Sequence, residues 1–259
     1  MNTAPINLAP GQSPSPQPGS ASTEKRIDWV KSSLILGVTA YLLLVLVIPL
    51  ANVIYQALAG GFPGFVEALQ ESDFQKAAIL TLIIAIIVVP LNTVFGLCAA
   101  WALTRHKFRG RAFLLSVIDL PFSVPSVVAG LMLVLLYGRM GWFGPFLEEN
   151  NIKIIFAVPG MVMASAFVTM PFVVREVLPV LEDLGKDQEE AARTLGANEW
   201  QIFWRVTLPS ISWSVMYGVI LTNARTMGEF GAVAVVSGSI AGKTQTLPLY
   251  VEEAYKQYQ

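Results

Sequence analysis

Three charged side chains stand inside or beside long uncharged runs: Asp119, Arg225 and Glu229. Desolvating a charge is costly, so such groups face a bundle interior or water and mark solute pathways by default. Asp119 stands about 10–12 Å from the start of its run at 1.5 Å per residue of helix. It is a candidate for the wall or gate of a translocation pathway, or else a structural partner for a nearby backbone group or cation. Arg225 and Glu229 are four residues apart, so on a continuing helix they share a face and neutralise each other. The planar guanidinium of Arg225 has the geometry to hold an oxyanion with two donors. A clasp that holds a gate region together is the stronger reading. Both charges are then already satisfied, and a pathway that grips a dianion tightly releases it slowly.

No constellation for covalent chemistry accompanies them. The single histidine, His106, excludes a metal site that needs two imidazoles. The single cysteine, Cys98, lies in an apolar run without a second thiol in the chain. Neither Gly-x-Ser-x-Gly nor His-Glu-x-x-His occurs. Gly238-Ser239-Ile240-Ala241-Gly242-Lys243-Thr244 misses a phosphate loop by one residue, because three residues rather than four separate its glycines. The expectation is a protein that is not an enzyme, with no catalytic residue, no metal and no cofactor of its own.

The elements that must position these residues are set by where charge is missing. Only 14% of the 259 residues are charged, against about 25% in a soluble domain. Leu34–Leu58, Ala77–Thr104, Leu120–Gly138, Ile154–Val174 and Val206–Ala224 carry none, and uncharged apolar runs of about 18 or more residues predict membrane-spanning helices. Five spans are expected, near 34–58, 77–104, 112–138, 154–178 and 206–238. Pro121 and Pro125 should bend the third. This excludes a soluble enzyme, a secreted disulfide scaffold and, with a net charge of −1, a nucleic-acid binder. The Pro/Ser/Gln-rich leader, residues 1–22, is too poor in apolar residues to fold and is expected to be disordered, ahead of a transmembrane domain over 23–259. Basic residues cluster ahead of the first span (Lys25, Arg26, Lys31), in 105–111 (Arg105, Lys107, Arg109, Arg111) and in 175–205. By the positive-inside rule these three segments, and hence the N-terminus, face the cytoplasm.

The longest of these loops carries the most specific pattern. Asp187 is the expected N-cap of a short helix, with Glu190 at the capping-box offset and Gly196 as its stop. Asn198, with Gln201 three residues on, starts a second helix bearing Trp200, Phe203 and Trp204. Leu208-Pro209 then opens the fifth span. Composition alone supports an amphipathic hairpin lying at the membrane surface.

The spacing narrows this. Glu190-Ala191-Ala192, three residues, Gly196, nine residues, Val206, one residue and Leu208-Pro209 resembles the EAA loop of ABC-importer permeases, with Val206 the only departure from that pattern. The resemblance implies that 187–205 is a coupling loop, docking on a cytoplasmic ATPase through Glu190, Ala191, Ala192, Gly196, Leu208 and Pro209. Further segments are similar to the sulfate/thiosulfate permease group. These are Asp119-Leu120-Pro121-Phe122, Val127–Leu131, Arg225-Thr226-Met227-Gly228-Glu229-Phe230-Gly231 and Gly242–Glu252, and of that group's two paralogous permeases the W-type is the more similar. Molybdate and tungstate permeases share the Arg225–Gly231 pattern.

The fold class that follows is an all-α membrane protein, a polytopic helical bundle of the type I ABC-importer permease kind. Five spans are visible of an expected six, and either the chain is cut short or the last helix is absent. The implied function is a permease subunit that imports sulfate or thiosulfate by alternating access across the bacterial plasma (inner) membrane. Its implied partners are two ABC ATPase subunits (CysA-like) holding ATP and Mg, a homologous permease subunit (CysT-like), an extracytoplasmic sulfate-binding protein and membrane lipid, with no nucleic acid. The alternatives are a molybdate, tungstate or other oxyanion permease and, in a different class, a secondary anion transporter without an ATPase.

Overall fold

The computed structural model describes residues 21–59, 61–106 and 108–257, and every regular element among them is helical. The expected disordered leader lies outside the described residues except for Ala21 and Ser22, which begin the first helix. The chain divides into two units, Met1–Val66 and Glu67–Gln259.

In the first unit, α1 (Ala21–Leu42), a π-turn (Leu43–Val47) and α2 (Ile48–Ala59) follow without a break. Between Trp29 and Ala57 the side chains are exposed all round, and the stretch is apolar enough to cross a membrane. Its π-turn has a local cause. Pro49 lacks an N–H and its ring would collide with the carbonyl four residues back. The chain instead closes a wider turn, with the Ile48 N–H donating to the Leu43 carbonyl. α3 (Gly61–Gln70) crosses the boundary between the units.

The second unit is built on α4 (Ser72–Arg105), α8 (Val158–Leu184) and α11 (Leu208–Met227). Small and polar side chains share its interior with larger apolar ones. The inward face of α4 carries Ala77, Thr81, Ala85, Asn92, Gly96 and Ala100 among its buried residues, while Ile79, Leu82, Ile86, Leu91 and Val94 point outward. In lipid no hydrophobic force drives helices together, so small side chains that permit close approach, and hydrogen bonds across the interface, do that work. Val173 of α8 shows both glycine contacts at once. A Cβ on Gly96 would lie 2.5 Å from the Val173 Cβ, and one on Gly218 would lie 3.1 Å from the Val173 Cα. One layer away, Asn92 donates its amide to the Ala166 carbonyl (3.0 Å) and to the Thr169 hydroxyl (2.7 Å). Residue numbers rise together along α4 and α8 and oppose each other along α8 and α11, so the first two are parallel and the third antiparallel. The expected alternation of spans two, four and five holds.

Two expected spans are shaped differently. The third is two helices, α5 (Arg111–Ser123) and α6 (Ser126–Tyr137), bent by 108° at Val124-Pro125. A short α7 (Gly144–Glu149) follows. The fifth does not start as a separate helix at Leu208. After α9 (Asp187–Thr194), the segments α10 (Glu199–Ile202), a π-turn (Phe203–Thr207) and α11 form one continuous helical path. Pro209 sits just past this π-turn as Pro49 does past the first, with the Leu208 N–H donating to the Phe203 carbonyl. The path breaks at Gly228, and α12 (Gly231–Ser237) turns to pack on α6 and α8. Its Ser210, Ser212, Ser214, Asn223 and Arg225 make α11 too polar to count by composition. Among the described residues three helices are long and apolar enough to cross a membrane, or four if the bent pair is one span. The stretch after Gly242 forms α13 (Leu247–Gln257). It docks on the start of α4, where the Leu247 N–H donates to the Thr81 hydroxyl (2.8 Å) and Leu249 is buried beside Leu80 and Ile84.

Candidate functional site

At the end of the bundle where α4 and α8 finish, the chain leaves α8 through Gly185, forms α9, and turns at Gly196 into α10. Gly185 has φ 64° and ψ −154°, and Gly196 has φ 83°, backbone that L side chains rarely adopt. Gly196 closes α9 as the sequence predicts, in a Schellman motif. Its N–H donates to the Arg193 carbonyl (2.9 Å) and the Ala197 N–H to the Ala192 carbonyl (3.1 Å). The capping box of α10 also forms, with Asn198 and Gln201 exchanging side-chain to backbone bonds of 2.8 and 3.0 Å.

The expected cap at Asp187 does not form. Lys186 is the N-cap, with φ −118° and ψ −6° and no side-chain cap bond, so the helix starts one residue early. Asp187, Glu189 and Glu190 then occupy the first turn, where acidic side chains complement the helix dipole. The Lys186 amine instead donates to the Arg105 carbonyl at 3.0 Å.

Glu190 and Ala191 are exposed on the outward face of α9, together with Asp187 and Thr194 at helical spacing, and Ala192 is half-buried. Leu208 packs beside the buried cluster of Ala100, Val173, Val177, Leu181 and Ile211, so this residue of the EAA-like pattern anchors the helix path in the core. Pro209 is exposed and sets the π-turn. The one buried side chain of α9 is Glu189, a residue that the pattern did not single out. Its Oε1 accepts from Arg105 Nη2 (2.7 Å), Arg105 Nε (3.1 Å) and the Thr207 hydroxyl (2.8 Å). No local signal could have found this group, because Arg105 and Glu189 are 84 residues apart.

A second bridge spans the Gly196 turn, where Arg193 donates Nε and Nη2 to the two carboxylate oxygens of Glu199 at 2.9 Å each. Those hydrogen bonds, with the charge of Arg193 behind them, hold the Glu199 carboxyl below its ordinary range. A depressed folded value means that the bridge is fully present above the ordinary range, about 4.3, and is lost only as pH falls through the lower folded value. A carbon-detected NMR titration is expected to give Glu199 a midpoint below that of glutamate in a model peptide. A midpoint at or above that value contradicts the bridge.

The three charges singled out in the sequence, Asp119, Arg225 and Glu229, each have an ion-pair partner. Asp119 takes a hydrogen bond from Arg175 Nε (2.9 Å), across from α5 to α8, and the Arg175 guanidinium lies 4.5 Å from the centre of the Phe122 ring. Arg225 and Glu229 do meet, at 3.0 Å, but not on a continuing helix: α11 ends at Met227, and the pair closes over its end. The second oxygen of the fully buried Glu229 carboxylate accepts the Ala232 N–H (3.0 Å), tying α11 to the first turn of α12.

This is a multi-pass helical membrane protein with a hinge of two short helices at one end of its core. The chain belongs to the family described as the inner membrane component of binding-protein-dependent transport systems, whose model matches residues 93–255. Among its relatives, the sulfate transport system permease protein CysW of Synechococcus elongatus is 66% identical, with 85% of this chain and 77% of that protein aligned. CysW of a Synechocystis species is 63% identical, over 89% and 83%. In the crystal structure of a bacterial alginate ABC transporter in complex with its alginate pentasaccharide-bound periplasmic protein, one chain superposes with a TM-score of 0.77. That alignment covers 92% of this chain and 87% of that one at 16% identity, a likeness of fold.

Proposed function

We propose that the chain is a transmembrane subunit of an ATP-driven importer that moves sulfate, and thiosulfate with it, across the bacterial plasma membrane. The observation that carries this reading is the 66% identity to a sulfate permease over 77% of that protein's length. The pore forms with a homologous CysT-like permease. ATP and Mg act on two CysA-like ATPase subunits, and a sulfate-binding protein delivers the anion on the outer face. The N-terminus and the hinge at 185–199 then lie in the cytoplasm, in line with the basic residues ahead of the first span and in loops 105–111 and 175–205.

The outward face of α9 is the docking surface. Ala191 leaves low relief there, so an ATPase backbone can approach closely, while Glu190 offers a charge to a basic side chain of that subunit. When the ATPases close, they displace α9. The Gly196 turn passes the movement to the continuous path from Glu199 to Met227, which reaches Val173 and Arg225. A rigid helix carries displacement better than a loop, and that is the mechanical value of the unbroken π-turn junction. Competition against radiolabelled sulfate uptake by the assembled complex tests the substrate. Thiosulfate is expected to compete strongly and molybdate weakly, and stronger competition by molybdate would sink the sulfate reading.

The Arg225–Glu229 pair acts as a clasp rather than as an anion ligand, since the Arg225 guanidinium already lies 3.0 Å from the buried Glu229 carboxylate, whose other oxygen accepts the Ala232 N–H. Arg225→Lys, which keeps the charge and loses the planar fork, is expected to leave the sulfate-over-molybdate preference intact and to alter uptake by less than about threefold, a loss below one uncharged hydrogen bond. A changed preference would assign Arg225 to the anion.

A further inference from the structure

We infer that the Glu189 carboxylate, gripped by Arg105 and Thr207, is the joint through which α9 drives the bundle. This rests on the coupling reading of α9 and names the residues within this chain that carry it. Four features of the structure converge here. α9 is bracketed by Gly185 and Gly196, both at positive φ and both with open space where a Cβ would stand, so neither hinge is braced by packing. Of the ten residues between them only Glu189 is buried. Its Oε1 collects donors from the last residue of α4 and from the π-turn that leads into α11, and Arg105 also reaches the Leu181 carbonyl of α8 (3.4 Å). A single oxygen thus joins the end of α4 to the path into α11, and Arg105 ties that junction to α8. The cavity beside the joint holds only about 10 Å³, at the lower limit for one water, so the joint is closely packed.

The other ion pairs at this end are poor candidates for the same task. Arg111–Glu182 and Arg193–Glu199 have side chains 41–64% exposed, where a pair is worth little and is loosely held. The Arg105 and Glu189 side chains are 8% exposed. Buried ion pairs are seldom the most stable way to fill a site, since apolar residues of similar volume often do as well or better. What an ion pair adds is direction. Arg105 and Thr207 are accordingly positioning residues, and their contribution is to coupling rather than to folding.

The test measures sulfate moved per ATP hydrolysed by the full complex in proteoliposomes, with both permeases, the ATPases and the binding protein present. Glu189→Gln keeps the shape and removes the charge, and this ratio is expected to fall about tenfold, within the usual range of coupling free energies. Arg105→Met combined with Glu189→Leu fills the site without a directed bond. It is expected to assemble and melt like the parent yet keep the low ratio. Thr207→Val, which removes one donor of three, is expected to lower the ratio about threefold, the equivalent of one modest hydrogen bond. If the apolar double variant transports with the parental ratio, the pair is only a space-filler and the inference is overturned. Should Glu189→Gln fail to assemble, the double variant and Thr207→Val decide the matter by the same ratio. Glu190→Lys separates the two levels. A parental ratio in that variant rejects α9 as the coupling helix, whereas uncoupling in Glu190→Lys with parental ratios in the Glu189, Arg105 and Thr207 variants rejects only the joint.

Discussion

Gly196→Pro and Glu190→Lys are expected to cut sulfate uptake per ATP hydrolysed by about 10- to 100-fold, the span of typical coupling free energies, while the complex remains in the membrane. The two variants fail for different reasons. Proline cannot reach φ 83°, and it removes the N–H that closes the Schellman motif on the Arg193 carbonyl. The turn between α9 and α10 then opens, and displacement of α9 no longer reaches the helix that enters the core. Glu190→Lys breaks no side-chain hydrogen bond or ion pair within this chain, because the Glu190 side chain is exposed and makes none; it removes only a favourable charge from the first turn of α9. Its effect on coupling therefore falls mainly on the partner surface. Gly196→Ala provides the graded control: an L side chain in left-handed backbone costs about 1–2 kcal/mol with nothing to collide with, so coupling should weaken rather than vanish. Full transport per ATP in both Gly196→Pro and Glu190→Lys would remove α9 from the mechanism.

Gly96→Val is expected to disrupt the core strongly. Even its Cβ would stand 2.5 Å from the Val173 Cβ and 2.6 Å from Cγ1, closer than carbon atoms approach without displacement. α4 and α8 must separate, and Val173 cannot retreat because Gly218 of α11 closes on it from the other side. Overpacking of this kind typically costs about 1–3 kcal/mol. The loss should also weaken the neighbouring Asn92 bonds to Ala166 and Thr169. Thermal unfolding in detergent measures it, and Val173→Ala in the same chain should recover part of the loss by removing Cγ1. A stability equal to the parent would contradict the register of these three helices.

Much of the architecture was legible because it is local. The uncharged run 77–104 lies within α4, and the apolar run starting near Ile154 became α8, displaced by a few residues at either end. Gly196 stopped α9 and Asn198 with Gln201 capped α10 because those signals act over a few residues of chain. The Asp187 cap failed because the N-cap falls one residue early, on Lys186, whose amine bonds the Arg105 carbonyl 81 residues away in sequence. Pro121 and Pro125 announced a bend, but its 108° depends on where α6 finds its partner α12. The pairs Asp119–Arg175 and Arg105–Glu189 join residues 56 and 84 apart, and tertiary packing alone makes them neighbours. The EAA-like pattern pointed to the outward residues Glu190 and Ala191 and missed Glu189, the side chain that faces inward one position earlier. In the same way the apolar face of α13 is visible only once α4 is there to receive Leu249.

The most direct test of a driven pore is the accumulation of radiolabelled sulfate by proteoliposomes holding the purified complex and the binding protein. ATP is supplied on the side of the ATPases, and no ion gradient is imposed. The account predicts accumulation above the external concentration that needs ATP and is lost in Glu190→Lys. Sulfate uptake by this chain without any ATPase, following an imposed ion gradient and indifferent to Glu190→Lys, would contradict it.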